Sequence, residues 1–215
     1  MYYFFISIQS YNLIRSSCVT VAKDAFQKWS FETTAKQRET ILRKWFNIMV
    51  EKEKLLAELL TLEQGKPLKE AHGEIQYSAA FIDWYAAEAR RIYGQVINPP
   101  VLNREHFHIR EPIGVVVLIT PWNFPAAMIA RKAGAALAAG CTLIVKPAED
   151  TPLSALALAQ TAEEAGMPPG VFNILPSDRQ NTAKISKYLC ESTDVDAISF
   201  TGSTAIGKAG IQFLV

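Results

Sequence analysis

The stretch GVVVLITPWNFPAAMIARKAGAALAAGCTLIVK, residues 114–146, decides the fold. It opens on GVVVLIT, a continuous apolar, β-branched run of the kind that suits a strand buried on both faces. PWNFPAAMIARKAGAALAAG then reads as a helix, with Pro125 near its first turn and Gly140 past its end. CTLIVK is a second buried strand. Strand, helix and strand of these lengths make a βαβ unit, which calls for a parallel sheet.

The same alternation continues on the C-terminal side. TPLSALALAQTAEEAG, residues 151–166, reads as a helix with Thr151 as cap, Pro152 in its first turn and Gly166 as stop. VFNIL is a strand, Ser177 and Gln180 box the start of another helix, AISF is a strand, and GSTAIGKAG opens one more helix. On the N-terminal side HFHIREP alternates like a strand, which brings the expected parallel strands to five. Residues 18–95 read as helices. Thr34 and Gln37 form a capping box, and Ile41, Leu42, Trp45, Phe46, Met49, Leu55, Leu56, Leu59 and Leu60 recur at helical spacing until EQGKP ends the run. A third helix carries Ile75, Ala79, Ile82, Ala86 and Ile92 on one face. These stripes are core packing and carry no chemistry. The fold class is therefore α/β: a doubly wound, Rossmann-like parallel sheet preceded by an all-helical segment.

Composition excludes several functions. The 215 residues are 49% apolar and carry a formal net charge of +1, enough for a real core and without the basic excess that nucleic acid attracts. No apolar run reaches the length of a membrane span. Three widely spaced cysteines, Cys18, Cys141 and Cys190, argue against a disulfide framework and for a reducing compartment, cytoplasmic or mitochondrial. His106 and His108 are too few ligands for zinc, so no metal is expected. The opening residues 1–17 lack the basic start of a secretory signal, and Arg15 alone is thin support for a mitochondrial presequence. They are expected to be an atypical, non-native or alternatively spliced start.

Ligands of an open α/β sheet sit at the carboxyl ends of its strands. Three turns fall there: TPWN, KPAE and TGS. Gly202, Gly207 and Lys208 match a P-loop spacing, but Ala209 stands where a Mg²⁺-binding Ser or Thr is needed. What survives is a strand, Gly202-Ser203 and a helix start, whose free N–H groups and dipole can hold a phosphate. An ordinary strand-to-helix turn has the same residues, and the G-x-G-x-x-G fingerprint is absent. Glu149 can accept from both ribose hydroxyls of an adenosine and repels a 2′-phosphate, which favours NAD over NADP; a solvated charged loop is the alternative. Asn123 can donate to a developing oxyanion or simply cap the helix that follows.

EPIGVVVLITPWNFP, LAAGCTLIVKPAEDTP, GMPPGVFN and ISFTGSTAIGK together resemble the aldehyde dehydrogenase superfamily, in order and spacing, from about residue 25 onward. The resemblance implies hydride transfer from an aldehyde-derived thiohemiacetal to a nicotinamide, giving an acid, with a small aldehyde as substrate. It makes Asn123 the oxyanion-hole residue. Ile119, Thr120, Pro121 and Trp122 become the strand end lining the cofactor cleft, and Lys146 to Glu149, through Pro147 and Ala148, the adenosine-ribose turn. Gly202 and Ser203 fall at the pyrophosphate turn, Ile206 becomes an apolar contact to adenine, and Gly207 joins the cofactor-binding residues. Within the superfamily, residues 123–159 are most similar to the succinate-semialdehyde dehydrogenase group, in which Arg131 meets the substrate carboxylate; guanidinium pairs well with carboxylate. From the residues alone Arg131 is a surface arginine beside Lys132. PSDRQN, residues 176–181, replaces glycines found in many relatives and alters the adenine pocket wall.

The family's nucleophile lies in F-x-x-x-G-Q-x-C and its base in E-L-G-G, and neither motif occurs in the chain. The resemblance thus divides it into residues 1–17, an atypical segment; 18–105, the helical part of the cofactor domain; and 106–215, the Rossmann-like NAD-binding part, with the catalytic domain absent. The expectation is a truncated chain, inactive alone, with a non-catalytic nucleotide-binding or interfering fragment as the alternative. Full-length members form homo-oligomers through segments mostly missing here.

Overall fold

The computed structural model describes residues 11–211. Residues 1–10, and with them most of the segment expected to be atypical, lie outside the described residues. Helix α1 (Tyr11–Phe31) runs straight across the expected boundary at residue 18. The Thr34–Gln37 capping box forms and starts α2 (Ala35–Glu51). The apolar repeat that follows belongs to two helices, because the chain breaks at Lys52 before α3 (Glu53–Gln64). Gly65, left-handed at φ 87°, closes α3, and Pro67 leads into α4 (Leu68–Glu88). Ile75, Ala79, Ile82 and Ala86 are buried along α4, but Ile92 lies beyond its end and is exposed.

The expected five-stranded parallel sheet has four strands. β1 (Gln95–Ile97) and β2 (His106–His108) pair with each other, antiparallel, in a separate exposed ribbon. The HFHIREP strand therefore leaves the main sheet, and the boundary expected at residue 106 falls inside the ribbon. Its alternation was real, but a two-stranded ribbon alternates as well as a sheet strand does. The parallel sheet has the order β5-β4-β3-β6, from β3 (Val115–Ile119), β4 (Thr142–Lys146), β5 (Phe172–Ile174) and β6 (Ala197–Phe200). Between them run α5 (Ala127–Ala139), α6 (Pro152–Glu164) and α7 (Arg179–Glu191), and α8 (Thr204–Ile211) follows β6.

Alternation along the strands builds a core on each face of the sheet. Val116, Leu118, Leu143 and Val145 pack with α2 to α6 around Trp45, Leu42, Ile82 and Ile129. Val115, Val117 and Ile144 face the other way, against Cys18, Val19 and Ala22 of α1 and Ile185 and Leu189 of α7. Both faces are covered, which explains the unbroken apolar runs Val115–Ile119 and Leu143–Val145.

Two helix starts differ from the sequence reading. Thr151 makes no side-chain cap on α6. Glu63, at the end of α3, does that work: its carboxylate accepts from the N–H groups of Leu153 and Ser154 (2.8 Å for Ser154) and from the Ser154 hydroxyl. At α7 the cap is Asp178, which accepts from Asn181 N–H at 2.8 Å. Ser177 instead shares a hydrogen bond with the Thr182 hydroxyl at 2.8 Å.

Candidate cofactor and active site

Sheet register places the turns. Ile119 at the end of β3 pairs with Lys146 on one side and Phe200 on the other. Thr120 N–H donates to the Lys146 carbonyl at 3.3 Å, and Thr201 N–H to the Ile119 carbonyl at 3.0 Å. The turns after β4, β3 and β6 thus leave the sheet side by side on its carboxyl rim. TPWN, KPAE and TGS are brought together, as expected of a wound parallel sheet.

Lys146 is buried in the middle of this rim, 3% exposed. Its ammonium donates to the Pro147 carbonyl at 3.0 Å and lies 3.8 Å from the Glu149 carboxylate. Burial lowers its pKa, and Glu149 offsets part of that. Pro147 and Ala148 are buried and carry Glu149 to the surface, where its other oxygen lies 3.9 Å from Arg179. Arg179 also reaches Asp150 at 3.4 Å. The sequence reading left Arg179 out, and a 2′-phosphate at Glu149 would meet that guanidinium as well as the carboxylate.

Four helices start on the rim side of the strands, and three have an internal carboxylate at their first turn. Glu74 accepts from Ala126 and Ala127 N–H before α5, at 2.9 and 3.1 Å. Glu63 serves α6, and Asp178 serves α7. The first turn of α8 has only the Ser203 hydroxyl, 3.4 Å from Ile206 N–H; among the described residues no carboxylate caps it. Gly202 and Ser203 are exposed there, and Ile206 lies beside them, 63% exposed. A Cβ on Gly202 would come 2.5 Å from the Phe200 ring, and one on Gly207 3.2 Å from it, so both glycines let Phe200 pack beneath the turn. At the β3 end the Thr120 hydroxyl is buried and has no hydrogen-bond partner among the described residues. An open helix start, an orphaned hydroxyl and a rim carboxylate are a donor and acceptor set that fits a dinucleotide: amides for phosphate, carboxylate for ribose.

Asn123 follows Trp122 on the exposed turn after β3, and its side chain makes no hydrogen bond among the described residues. The turn itself is held from below. Lys66 donates to the Asn123 carbonyl at 2.8 Å and to Glu74 at 2.5 Å, and its ammonium sits 3.9 Å from the centre of the Phe124 ring. One turn into α5, Arg131 is exposed, with its guanidinium 5.2 Å from the centre of Phe81, which packs edge-on against Tyr77. Next to it Lys132 donates to the Ser199 carbonyl of β6 at 3.2 Å. Burial, helped by Arg131, lowers the Lys132 pKa to about 8.

The thiols stand apart from this rim. All three cysteines are free; Cys18 and Cys141 are buried and Cys190 half-buried. Burial pushes Cys18 up to about 12 and raises Cys141 and Cys190, which keeps them protonated and inert at neutral pH. His106 and His108 sit in the outlying ribbon, and among the described residues no three potential metal ligands cluster.

A parallel sheet covered by helices on both faces, with three strand-to-helix turns side by side on its carboxyl rim, defines the class as a Rossmann-like α/β fold, and comparison with known proteins gives the family. The chain matches the aldehyde dehydrogenase family over residues 15–212 and belongs to it. It is 54% identical over 192 residues to the mitochondrial succinate-semialdehyde dehydrogenase of Homo sapiens, a match covering 89% of this chain and 36% of that one. To the succinate-semialdehyde dehydrogenase [NADP(+)] GabD of Escherichia coli (strain K12) it is 52% identical, over 89% of this chain and 39% of the relative. The crystal structure of succinate-semialdehyde dehydrogenase from Burkholderia pseudomallei superposes with a TM-score of 0.89 at 47% identity, covering 93% of this chain and 41% of that one. The chain spans little more than a third of the length of the curated relatives it matches.

Proposed function

We propose that the chain forms the dinucleotide cradle of a succinate-semialdehyde-type aldehyde dehydrogenase. The register that sets Ile119 beside both Lys146 and Phe200 carries this reading, since it aligns all three turns on one rim. In it the α8 start and Ser203 hold the pyrophosphate, Glu149 accepts the ribose hydroxyls, Lys146 fixes the Glu149 turn, and Ile206 covers the adenine. Thr120 and the strand end from Ile119 to Trp122 wall the cleft. The bound nicotinamide supplies the hydride acceptor. Asn123 donates to the aldehyde oxygen, where its amide stabilises negative charge, and Arg131 takes a carboxylate at the far end of the substrate.

NAD is the favoured dinucleotide because Glu149 opposes a 2′-phosphate, while Arg179 reduces that opposition and keeps NADP in reach. The E. coli relative, which uses NADP(+) by name, shows that the group admits it. By itself the 215-residue chain does not oxidise aldehydes, because its cysteines are buried or half-buried thiols with raised pKa. A reducing compartment, cytoplasmic or mitochondrial, suits three free cysteines. No described helix is long and apolar enough to cross a membrane.

Calorimetric titration of the purified chain tests the cradle. One equivalent of NAD binds, and Gly202→Val, which drives a side chain into Phe200, weakens it by about tenfold or more, a change of about 1.4 kcal/mol. No heat of binding from either dinucleotide, or equal affinity in the variant, contradicts the proposal. NADH formation from succinate semialdehyde by this chain alone contradicts its inactivity.

A further inference from the structure

We infer that the buried Lys66–Glu74 ion pair is the positioning device for Asn123; this rests on the reading of Asn123 as an oxyanion donor. The Asn123 side chain has no hydrogen-bond partner among the described residues, so the hydrogen bonds that hold it act through its backbone. That backbone is held at two points by one pair of charges. Lys66 is bonded to the Asn123 carbonyl at 2.8 Å, and Glu74 accepts from the N–H groups of Ala126 and Ala127 at 2.9 and 3.1 Å. The two charges bond to each other, with side chains 8% and 0% exposed. The Phe124 ring lies against the ammonium and shields it. Each Glu74 oxygen is used, one by Lys66 and one by two amides.

Two segments distant in sequence therefore meet at one point: the α3–α4 connection with the first half of α4, and the turn from β3 into α5. Half-satisfied, such a buried network is costly; fully satisfied, it fixes one geometry. An oxyanion donor has to be fixed before charge develops, since reorganisation during the reaction erodes its effect. Lys66 and Glu74 do not touch the reacting atoms; they act through Asn123.

Hydrogen exchange read by mass spectrometry on the full chain tests this, comparing residues 121–128 with strand residues 142–147. Lys66→Met is expected to speed exchange in 121–128 by about tenfold or more while 142–147 stays within about twofold. Lys66→Arg, which keeps a buried cation, is expected to recover most of the protection. Unchanged exchange in 121–128, equal acceleration of both segments, or no recovery in Lys66→Arg overturns the inference. If Lys66→Met does not fold, Glu74→Gln replaces it, with protection of 121–128 expected in the order wild type, Lys66→Arg, Glu74→Gln; equal protection overturns the inference. None of these readouts depends on the role of Asn123. That role fails separately, if Asn123→Ala leaves kcat unchanged in an assembly that oxidises aldehydes.

Discussion

At the scale of single residues, charge burial makes the sharpest predictions. Lys132 has a folded pKa of about 8, below the ordinary 10.5, because it is partly buried beside Arg131. Between those values the unfolded chain holds a proton that the folded chain has released, so stability rises with pH across the window and the gain disappears as pH falls through 8. The stability difference between wild type and Lys132→Met should therefore shift in favour of wild type from pH 8 to 10. A flat difference in urea midpoints would show that Lys132 titrates normally. At the ribose turn, Glu149→Gln should weaken NAD by about tenfold, the worth of a charge-assisted hydrogen bond, and narrow the gap to NADP; Arg179→Ala should widen that gap. Titration of both dinucleotides against each variant checks the pair. The rim positions of Asn123, Lys146 and Glu149 were legible in the sequence because Lys146 ends a strand and the other two follow one by three or four residues. Lys66, Glu74 and Arg179 were not, since their partners lie 57, 52 and 30 positions away and only the fold brings them near.

Elements were legible where local rules decide them. The buried strands announce themselves by composition, the Thr34–Gln37 box marks its helix, and Gly65, Gly140 and Gly166 mark helix ends with positive φ. Misreadings arise where a distant group supplies what a local residue was expected to give. Thr151 stands at the cap position of α6, yet Glu63 holds the N–H groups from across the α3–α6 contact. Glu63→Ala should cost about 1–2 kcal/mol of stability, as loss of a helix cap does, and Glu63→Gln, which keeps one acceptor oxygen, less. Equal urea midpoints for wild type and Glu63→Ala would return the cap to Thr151. The HFHIREP strand misled for a different reason: alternation records exposure on one side and says nothing of the partner strand.

For the molecule as a whole, two apolar cores sandwich one parallel sheet, and that layering turns three sequence-distant turns into neighbours. Helix starts are not equivalent on this scaffold. Those of α5, α6 and α7 spend N–H groups on Glu74, Glu63 and Asp178, whereas among the described residues no carboxylate caps α8, the start to which the proposal assigns the pyrophosphate. On the proposed reading, a dinucleotide lies along the rim and touches all three turns at once. The most direct measurement is the change in hydrogen exchange when the chain is saturated with NAD. Protection should appear together in residues 119–124, 146–149 and 201–207, and not in the ribbon at 95–108. Protection confined to one turn, or lying in the ribbon, would contradict the cradle.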